Sequence, residues 1–417
     1  MNVERLEKTL QKVNEFGYSE EGINRIAYTK AEQEAVQYLI ELFKKEGMNV
    51  KVDSIGNVIA RREGMDPTLP AVVTGSHIDT VYNGGKYDGT LGVVTGLELI
   101  RTLNEKNIRT KHPIEIIIFA CEESARFGVS TIGSSALIGE FQQEYLTLTD
   151  KDGISLESAL LQFGYNVNNI NAVKRKKEDI KIFYELHVEQ GPVLEKEKKQ
   201  IGVVTGIATP TRFQIEIIGE AAHSGSTPMD LRKDALLGAA EMILALERSA
   251  NAEKDHGTVA TVGTCEVIPG AMNVVPGKVE MSIDIRSISS TSKDRVVTQL
   301  FQTISQIENK RSLTFCVHPL YDEEPINIDD NIVKRLVELC EKLKFSYRKM
   351  PSGAGHDAMM MAKAFPTGLI FVPSKDGISH NKDEYTSKEQ IYAGAMLLKE
   401  AILDAAIVTE DSLQSVT

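Results

Sequence analysis

An α/β fold interrupted by a smaller α+β domain is the architecture this sequence predicts, on three observations. Short, largely apolar, β-branched runs recur at 71–77, 114–120 and 367–372, set between stretches of helical apolar spacing, as in a sheet covered by helices. From about 209 to 324 the order changes to strand, helix, strand, strand, helix, strand, which fits a split βαβ sandwich. The chain has 417 residues, more than one ordinary core accommodates. The expected division is an outer α/β domain of 1–208 plus 325–417, with 209–324 inserted into it.

The outer domain opens with helical spacing at 4–16 (Leu6, Leu10, Val13) and 30–46 (Ala35, Leu39, Leu42, Phe43). The stretch 50–62 alternates as a strand pair, with Gly56-Asn57 as its turn. The apolar strand 71–77 is followed by a helix at 91–103. A second buried strand, 114–120, ends in Cys121-Glu122-Glu123, and after a short helix at 155–163 a third, 183–187, ends in His187. The inserted domain places strands at 211–218, 258–267, 278–286 and 312–319, and helices at 232–248 and 291–308. Helices at 329–343 and 357–364, the strand 367–372 and a closing helix at 388–405 complete the outer domain, and the final EDSLQSVT is expected to fray.

Composition excludes several classes. Hydrophobic residues at 42% and charged residues at 25% are those of a soluble globular protein. A formal net charge of −12 argues against nucleic acid and against a polybasic membrane anchor. The basic run Lys174 to Lys177 is answered at once by Glu178 and Asp179, as in a solvated loop. MNVERLEKTL lacks the apolar centre of a secretory signal, and no apolar stretch approaches the ~20 residues that span a bilayer. The 4 cysteines are scattered without CxxC spacing, the usage of reduced thiols in a cytoplasmic protein. No G-x-S-x-G elbow, H-E-x-x-H helix, Walker loop or helix-opening G-x-G-x-x-G occurs.

The polar residues collect where strands end, which in open α/β sheets is where ligands bind. In AVVTGSHIDTVYNGGKYDG (71–89) the strand runs into His77, and Asp79 stands two residues on. On an extended backbone the two point the same way, and a carboxylate beside a histidine fixes its tautomer for metal binding. The Gly-rich NGGKYDG loop returns Asp88 toward His77. Glu122-Glu123, His187 and His380 end or follow three other strands. This set suits two metal ions, with Asp88 as the bridge, His77 and His187 completing one site, and Glu123 and His380 the other. Neighbouring side chains at a strand end diverge, so one of the glutamates ligates and the other is placed to move a proton. Zinc suits these ligands, and manganese, cobalt or nickel is compatible with the same nitrogen and oxygen set.

Three further positions carry two readings each, and a fourth carries one. His223, in GEAAHSGSTP, is either a hydrogen-bond donor to an oxyanion or a surface-loop histidine. Arg286, at a strand end, is a clamp for a carboxylate or half of an internal ion pair. His356, with Gly355 in PSGAGHDA, lines a substrate pocket or starts a helix, and Asn273 in AMNVVPG is a candidate directional hydrogen-bond partner. His112, His256 and His318 show no partner pattern and read as structural.

Ordered segments across nearly the whole chain carry a resemblance: GSHIDTVYNGGKYDGTLGV, EESARFG, GSSALIG, ELHVEQGPVLE, GEAAHSGSTPMDLRKDA, NVVPGKVEMSIDIRS, PSGAGHDA and IFVPSKDGISHNKDEY. They resemble the N-carbamoyl-L-amino-acid hydrolases, a close pair with the allantoate amidohydrolases within the di-metal aminoacylase/carboxypeptidase family of zinc peptidases. The resemblance implies a di-metal exopeptidase-like catalytic domain, a mixed sheet flanked by helices. It implies an inserted ferredoxin-like domain serving as lid and dimerisation surface, a homodimer, and two divalent metal ions per subunit. It implies His77, Asp88, Glu123, His187 and His380 as ligands, Glu122 as general base and Asp79 as the clamp on His77. Gln190, His223, Asn273 and Arg286 match positions that hold the substrate's amide and carboxylate, and there is room in the resemblance for His223 to act from the partner subunit. At the His187 position the peptidase relatives usually have a carboxylate, so His187 is similar to the carbamoyl-hydrolase branch. A cis peptide after Asp88 is also implied. The implied activity is hydrolysis of the ureido C–N bond of N-carbamoyl-L-amino acids to L-amino acid, ammonia and carbon dioxide. Allantoate is the alternative substrate; a dipeptidase or aminoacylase, and a non-catalytic binding protein of the same fold, are the more distant readings.

Overall fold

Four neighbouring strands that run parallel make the centre of the larger of the chain's two units: Thr367–Val372, Ile180–Val188, Ala71–His77 and Ile114–Phe119, in that order. Three of them are buried at every position, and Ile180–Val188 is buried from Phe183 onward, which is why they read as mainly apolar runs rather than alternating ones. Antiparallel strands extend the sheet, Ile201–Ile207 beside Thr367–Val372, and Val58–Arg62 followed by Asn49–Val52 beside Ile114–Phe119. Because the four central strands are parallel, all their carboxyl ends lie at one edge. This is the mixed sheet flanked by helices that the sequence predicts.

The computed structural model of the chain describes residues 1–407; the expected fraying of EDSLQSVT falls on 410–417, outside the described residues. Contacts divide the chain into two units, Met1–Thr205 with Ile328–Met350 and the stretch from Gly355 onward, and Gly206–Asn327 with Pro351–Ala354. The short piece 351–354 has no counterpart in the division read from sequence, since its contacts are tertiary and leave no periodic trace.

In the larger unit, helix Thr90–Glu105 is buried along nearly its whole length, and Leu97, Ile100 and Leu103 share one core with Ile114, Ile116 and Leu398. A helix wrapped on all sides must be apolar on all sides; truncating Leu97 to Ala would cost about 2–5 kcal/mol. Glu98, buried in that helix, is answered by the Arg5 guanidinium at 2.7 Å. The turn before Val58–Arg62 spans 53–57 rather than the expected Gly56-Asn57 pair. The Asp53 carboxylate accepts from the amides of Ile55 (3.0 Å) and Asn57 (2.9 Å) and from Asn57 Nδ2 (2.8 Å), a turn built by a side chain. Strands Ile201–Ile207 and Tyr347–Ser352 and helix Ile132–Ile138 are additional to the expected elements; the glycines of IGVVTGI mask its strand character.

In the smaller unit the strand order is Val259–Ile268, Lys278–Ser287, Thr209–Ile218, Thr314–Asp322, each pair antiparallel. This is the order of a split βαβ sandwich. Burial alternates strictly along Lys278–Ser287, with Val279, Met281, Ile283 and Ile285 inside. They pack with Met242 and Leu246 of helix Ala235–Ala252 and Leu300 and Ile304 of helix Ser290–Arg311. No helix among the described residues is long and apolar enough to cross a membrane.

Candidate active site

The carboxyl edge of the four parallel strands brings five donors together in two trios that share one residue. His77, Asp88 and His187 form the first, and Asp88, Glu123 and His380 the second, the ligand atoms within each lying within 4.8 Å of one another. His77 and His187 are last or nearly last in their strands; Glu123 follows Ile114–Phe119 by four residues, and His380 follows Thr367–Val372 by eight. Asp88 Oδ1 stands 3.3 Å from His77 Nε2 and 3.2 Å from His187 Nε2, while Oδ2 is 3.3 Å from His380 Nε2. His380 Nε2 is also 3.3 Å from Glu123 Oε1. The shared carboxylate thus gives one oxygen to each trio.

The ring tautomers follow from backbone acceptors. His77 Nδ1 donates to the Asp79 carbonyl at 2.9 Å and His187 Nδ1 to the Val188 carbonyl at 2.8 Å. A carbonyl only accepts, so Nδ1 of each ring carries a proton and Nε2 is the atom turned toward Asp88. Gly89 N–H reaches His187 Nε2 at 3.0 Å. At position 89 a Cβ would lie 2.4 Å from His77 Nε2, and φ is +60°, so only glycine fits there.

Charge in the cluster answers a cation. Burial pushes the Asp88 carboxyl up, but His187, His380 and His77 outweigh it and hold it well below the usual range. Hydrogen bonds donated to the carboxylates of Asp88 and Glu123 hold His380 up to about 10. Burial first, then the charges of Glu123, Asp357 and Asp79, push Glu122 well above the ordinary carboxyl value against the pull of His77. A raised carboxyl beside converging ligands is suited to take and return a proton. Three imidazoles and two carboxylates, preoriented with three Nε2 atoms facing carboxylate oxygens, fit a pair of divalent cations that would take the place of the protons held there.

Asp79 corrects the expected clamp. Its carboxylate Oδ1 is 3.7 Å from His77 Nδ1, beyond hydrogen-bond range. It accepts instead from the amides of Glu122 at 3.1 Å and Glu123 at 3.0 Å. The strand ends at His77, so the alternation that would put 77 and 79 side by side no longer holds. The side chain finds two better-aligned donors, and Asp79 orients His77 through its carbonyl. The expected cis bond after Asp88 is likewise absent: Ile268–Pro269 is the one cis peptide among the described residues, and the chain turns at Gly89 through its positive φ.

Gln190 is at the cluster, its Nε2 2.7 Å from Asp88 Oδ2 and 3.3 Å from His380 Nε2. His356 is buried, its ring 4.5 Å from that of His187 and 5.4 Å from that of Phe371; burial and the neighbouring His187 hold it well below its ordinary value, so it is neutral. Gly355, before it, is exposed. Several supporting residues escape the sequence reading. Arg25, fully buried, donates to the Ile78 carbonyl at 2.6 Å and to Thr90 Oγ1 at 2.8 Å, gripping both sides of the loop that carries Asp88. Glu185 accepts from Ser76 Oγ at 2.6 Å and from the Ala358 amide at 2.8 Å. Its place two residues before His187 on one strand face was the available signal. Glu384 and Ser379 lie against the Asp88 loop without any local pattern.

His223, Asn273 and Arg286 belong to the smaller unit. His223 is exposed, and its Nδ1 accepts from the amides of Gly225 (3.1 Å) and Ser226 (3.2 Å), so in the neutral ring Nε2 carries the proton and faces outward as a donor. The strand pairing of His223 with Val274 sets Asn273 beside Ser224, whose amide donates to the Asn273 carbonyl at 3.0 Å. Arg286 adopts the ion pair: Nε and Nη2 reach the two oxygens of Asp284 at 2.9 and 3.2 Å, and Nη1 donates to the Gly353 carbonyl at 2.9 Å. Two of its five N–H groups remain beyond those three bonds.

Sheet and donor set fit a metal-dependent hydrolase, and the chain's family and relatives make it one that acts on C–N bonds. The chain belongs to peptidase family M20/M25/M40, whose model matches residues 73–404. It is 46% identical over 409 residues, 98% of this chain and 99% of the other, to an uncharacterized hydrolase of Haemophilus influenzae. It is 36% identical over 403 residues, 96% of this chain and 97% of the other, to an N-carbamoyl-L-amino-acid amidohydrolase of a Pseudomonas species. A solved amidase of the hydantoinase/carbamoylase family from Burkholderia multivorans superposes with a TM-score of 0.91 at 36% identity, covering 97% of this chain and 98% of that one. Relatives named ureidoglycolate hydrolase, from Arabidopsis thaliana, and allantoate amidohydrolase, from Bacillus subtilis, are 37% and 34% identical over 90% and 94% of this chain and 80% and 95% of their own lengths.

Proposed function

We propose that the protein hydrolyses the ureido C–N bond of N-carbamoyl-L-amino acids, releasing L-amino acid, ammonia and carbon dioxide. The observation that carries the reading is the pair of trios sharing Asp88, with a histidine rather than an acid at 187. His77, Asp88 and His187 would hold one divalent cation and Asp88, Glu123 and His380 the other, zinc foremost, with manganese, cobalt or nickel compatible. Bound there, such cations polarise a carbonyl and lower the pKa of water toward neutrality.

Every other part belongs to the chain. Glu122 takes the proton of the attacking water and returns it to the leaving nitrogen. Asp79 holds the Glu122-Glu123 backbone at the angle this needs. His223 donates from Nε2 to the developing oxyanion, Arg286 binds the α-carboxylate with its remaining N–H groups, and Gln190, Asn273, Gly355 and His356 complete the substrate contacts. The acting species is a cytoplasmic homodimer whose inserted unit, 209–324, serves as lid and dimerisation surface.

The nearest alternative is allantoate or ureidoglycolate, which also pair a ureido group with a carboxylate, and it draws on relatives of nearly equal identity. Parallel turnover measurements with N-carbamoyl-L-amino acids, allantoate, ureidoglycolate and a dipeptide, on one metal-reconstituted preparation, decide it. A kcat/KM for a carbamoyl amino acid at least about tenfold above the rest supports the reading; a preference for allantoate or ureidoglycolate replaces it.

A further inference from the structure

Two of the three loops that supply the second trio, those of Asp88 and His380, are joined by a buried carboxylate that lies outside both trios. Glu384 is 2% exposed. Its Oε2 accepts from the amides of Tyr87 at 2.7 Å and Asp88 at 3.2 Å, and its Oε1 accepts from Ser379 Oγ at 2.7 Å. Ser379 Oγ also stands 3.2 Å from Asp88 Oδ2. The serine has one proton, which its shorter contact assigns to Glu384. Room for this side chain is made by Gly85, where a Cβ would fall 2.2 Å from Glu384 Oε2 and 2.7 Å from Glu384 Cβ. The second of these clashes involves the root of the side chain, so rotation of the carboxylate alone does not relieve it.

We propose that Glu384 is a positioning residue that staples the Asp88 loop to the His380 loop and thereby holds the Asp88–Glu123–His380 trio in ligand geometry. The physical case is one of location. A buried carboxylate four residues from His380 has no reason to lie next to the negative Asp88 except the three donors it satisfies. Those donors fix the backbone on the two sides of the gap the trio must close. Glu384 touches none of the Nε2 atoms, so it acts through the ligands and not as one. The inference rests on the reading that the trios hold metal.

The expected consequence is selective. Glu384→Ala frees both loops, and loss of an outer hydrogen-bonding partner weakens metal binding by about 10- to 100-fold. The loss falls hardest on the Asp88–Glu123–His380 site, where both freed loops supply ligands, while the other trio keeps His77 and His187 on their own strands and loses only the placing of the shared Asp88. Glu384→Gln keeps a carbonyl oxygen for the two amides and is expected to stay within about threefold of the parent. Gly85→Ala, which leaves the carboxylate in the chain but evicts it from its place, is expected to behave as Glu384→Ala.

The test is cobalt(II) titration of the metal-stripped full chain and these variants, followed by calorimetry and the cobalt absorption spectrum, with circular dichroism as the check of fold. Two equivalents for the parent and Glu384→Gln, with one equivalent tight and one weakened in Glu384→Ala and Gly85→Ala, is the expected result. Two equally tight equivalents in folded Glu384→Ala or folded Gly85→Ala overturns the staple and leaves the metal reading intact. No cobalt bound by the parent overturns the metal reading itself. If Glu384→Ala does not fold, Gly85→Ala and Ser379→Ala decide, and parent-like binding in both rejects the proposal.

Discussion

Asp79 Oδ1 accepts a hydrogen bond from the Glu122 amide at 3.1 Å, and its other oxygen accepts from the next amide along, so one carboxylate sets the direction of both glutamates. Glu122 and Glu123 diverge from that anchored pair of peptides, Glu123 toward His380 at 3.3 Å and Glu122 toward His77 at 3.7 Å. A carboxylate that accepts two backbone amides is worth more as a template for direction than as a charge.

Asp79→Ala leaves two buried amides without an acceptor, at about 1–3 kcal/mol each. The expected outcome is a folded but less stable protein with metal affinity lowered about tenfold or more and a parallel fall in kcat. Metal content after dialysis, set beside kcat, is the measurement. Unchanged metal content would remove Asp79 from the support of the site.

Glu122→Gln tests the proton carrier. The amide keeps the size of the side chain and cannot take a proton, so metal content should match the parent while kcat falls by about 10²- to 10⁴-fold. Pre-steady-state and steady-state rates on the same metal-loaded sample read this. Parent-like kcat would assign proton transfer elsewhere.

Arg286→Ala separates the two readings of that residue. Asp284 keeps Arg212 at 2.8 Å, so the smaller unit should stay folded. If Arg286 also binds the substrate carboxylate, KM rises about 10- to 100-fold, the worth of charged hydrogen bonds, with kcat little changed, and Arg286→Lys restores only part because it lacks the fork. A KM equal to the parent's would leave Arg286 as an internal ion pair alone.

Glu32 gives a pH dependence with a definite sign. Burial first, and the Asp79 charge after it, push its carboxyl up to about 8 from an ordinary 4.5. Between those values the folded chain holds a proton that the unfolded chain releases, so this group's contribution falls as pH rises through the window. Glu32→Gln keeps an acceptor for the Tyr28 amide, 2.5 Å away in the parent, without the charge. The Tm of the variant relative to the parent should therefore be near zero at pH 4.5 and rise by about 2 °C or more by pH 8. A flat difference across that range would mean the carboxyl is ionised in the fold.

What was legible in the sequence is what period and strand polarity encode. Strands 71–77, 114–120 and 367–372 announce themselves because both faces are buried. Once they are parallel, His77, Glu123, His187 and His380 fall at one edge, and the trios in the structure contain the residues that edge supplies, with Asp88 returned by its glycine loop. What was not legible depends on partners far apart in the chain. The contact of Glu384 with the Asp88 amide spans 296 residues and that of Arg25 with Thr90 spans 65, and neither leaves a period to read. Asp79 was misplaced for a local reason: an argument from strand alternation was carried two residues past the strand's end.

Removal and return of metal tests the central claim most directly. Stripping the full chain with a chelator, counting metal by mass spectrometry, and then adding back zinc, manganese or cobalt while following hydrolysis of an N-carbamoyl-L-amino acid should show activity lost with the metal and restored as the count returns to about two per subunit. Full activity in the stripped protein, or saturation without any bound divalent ion, would contradict it.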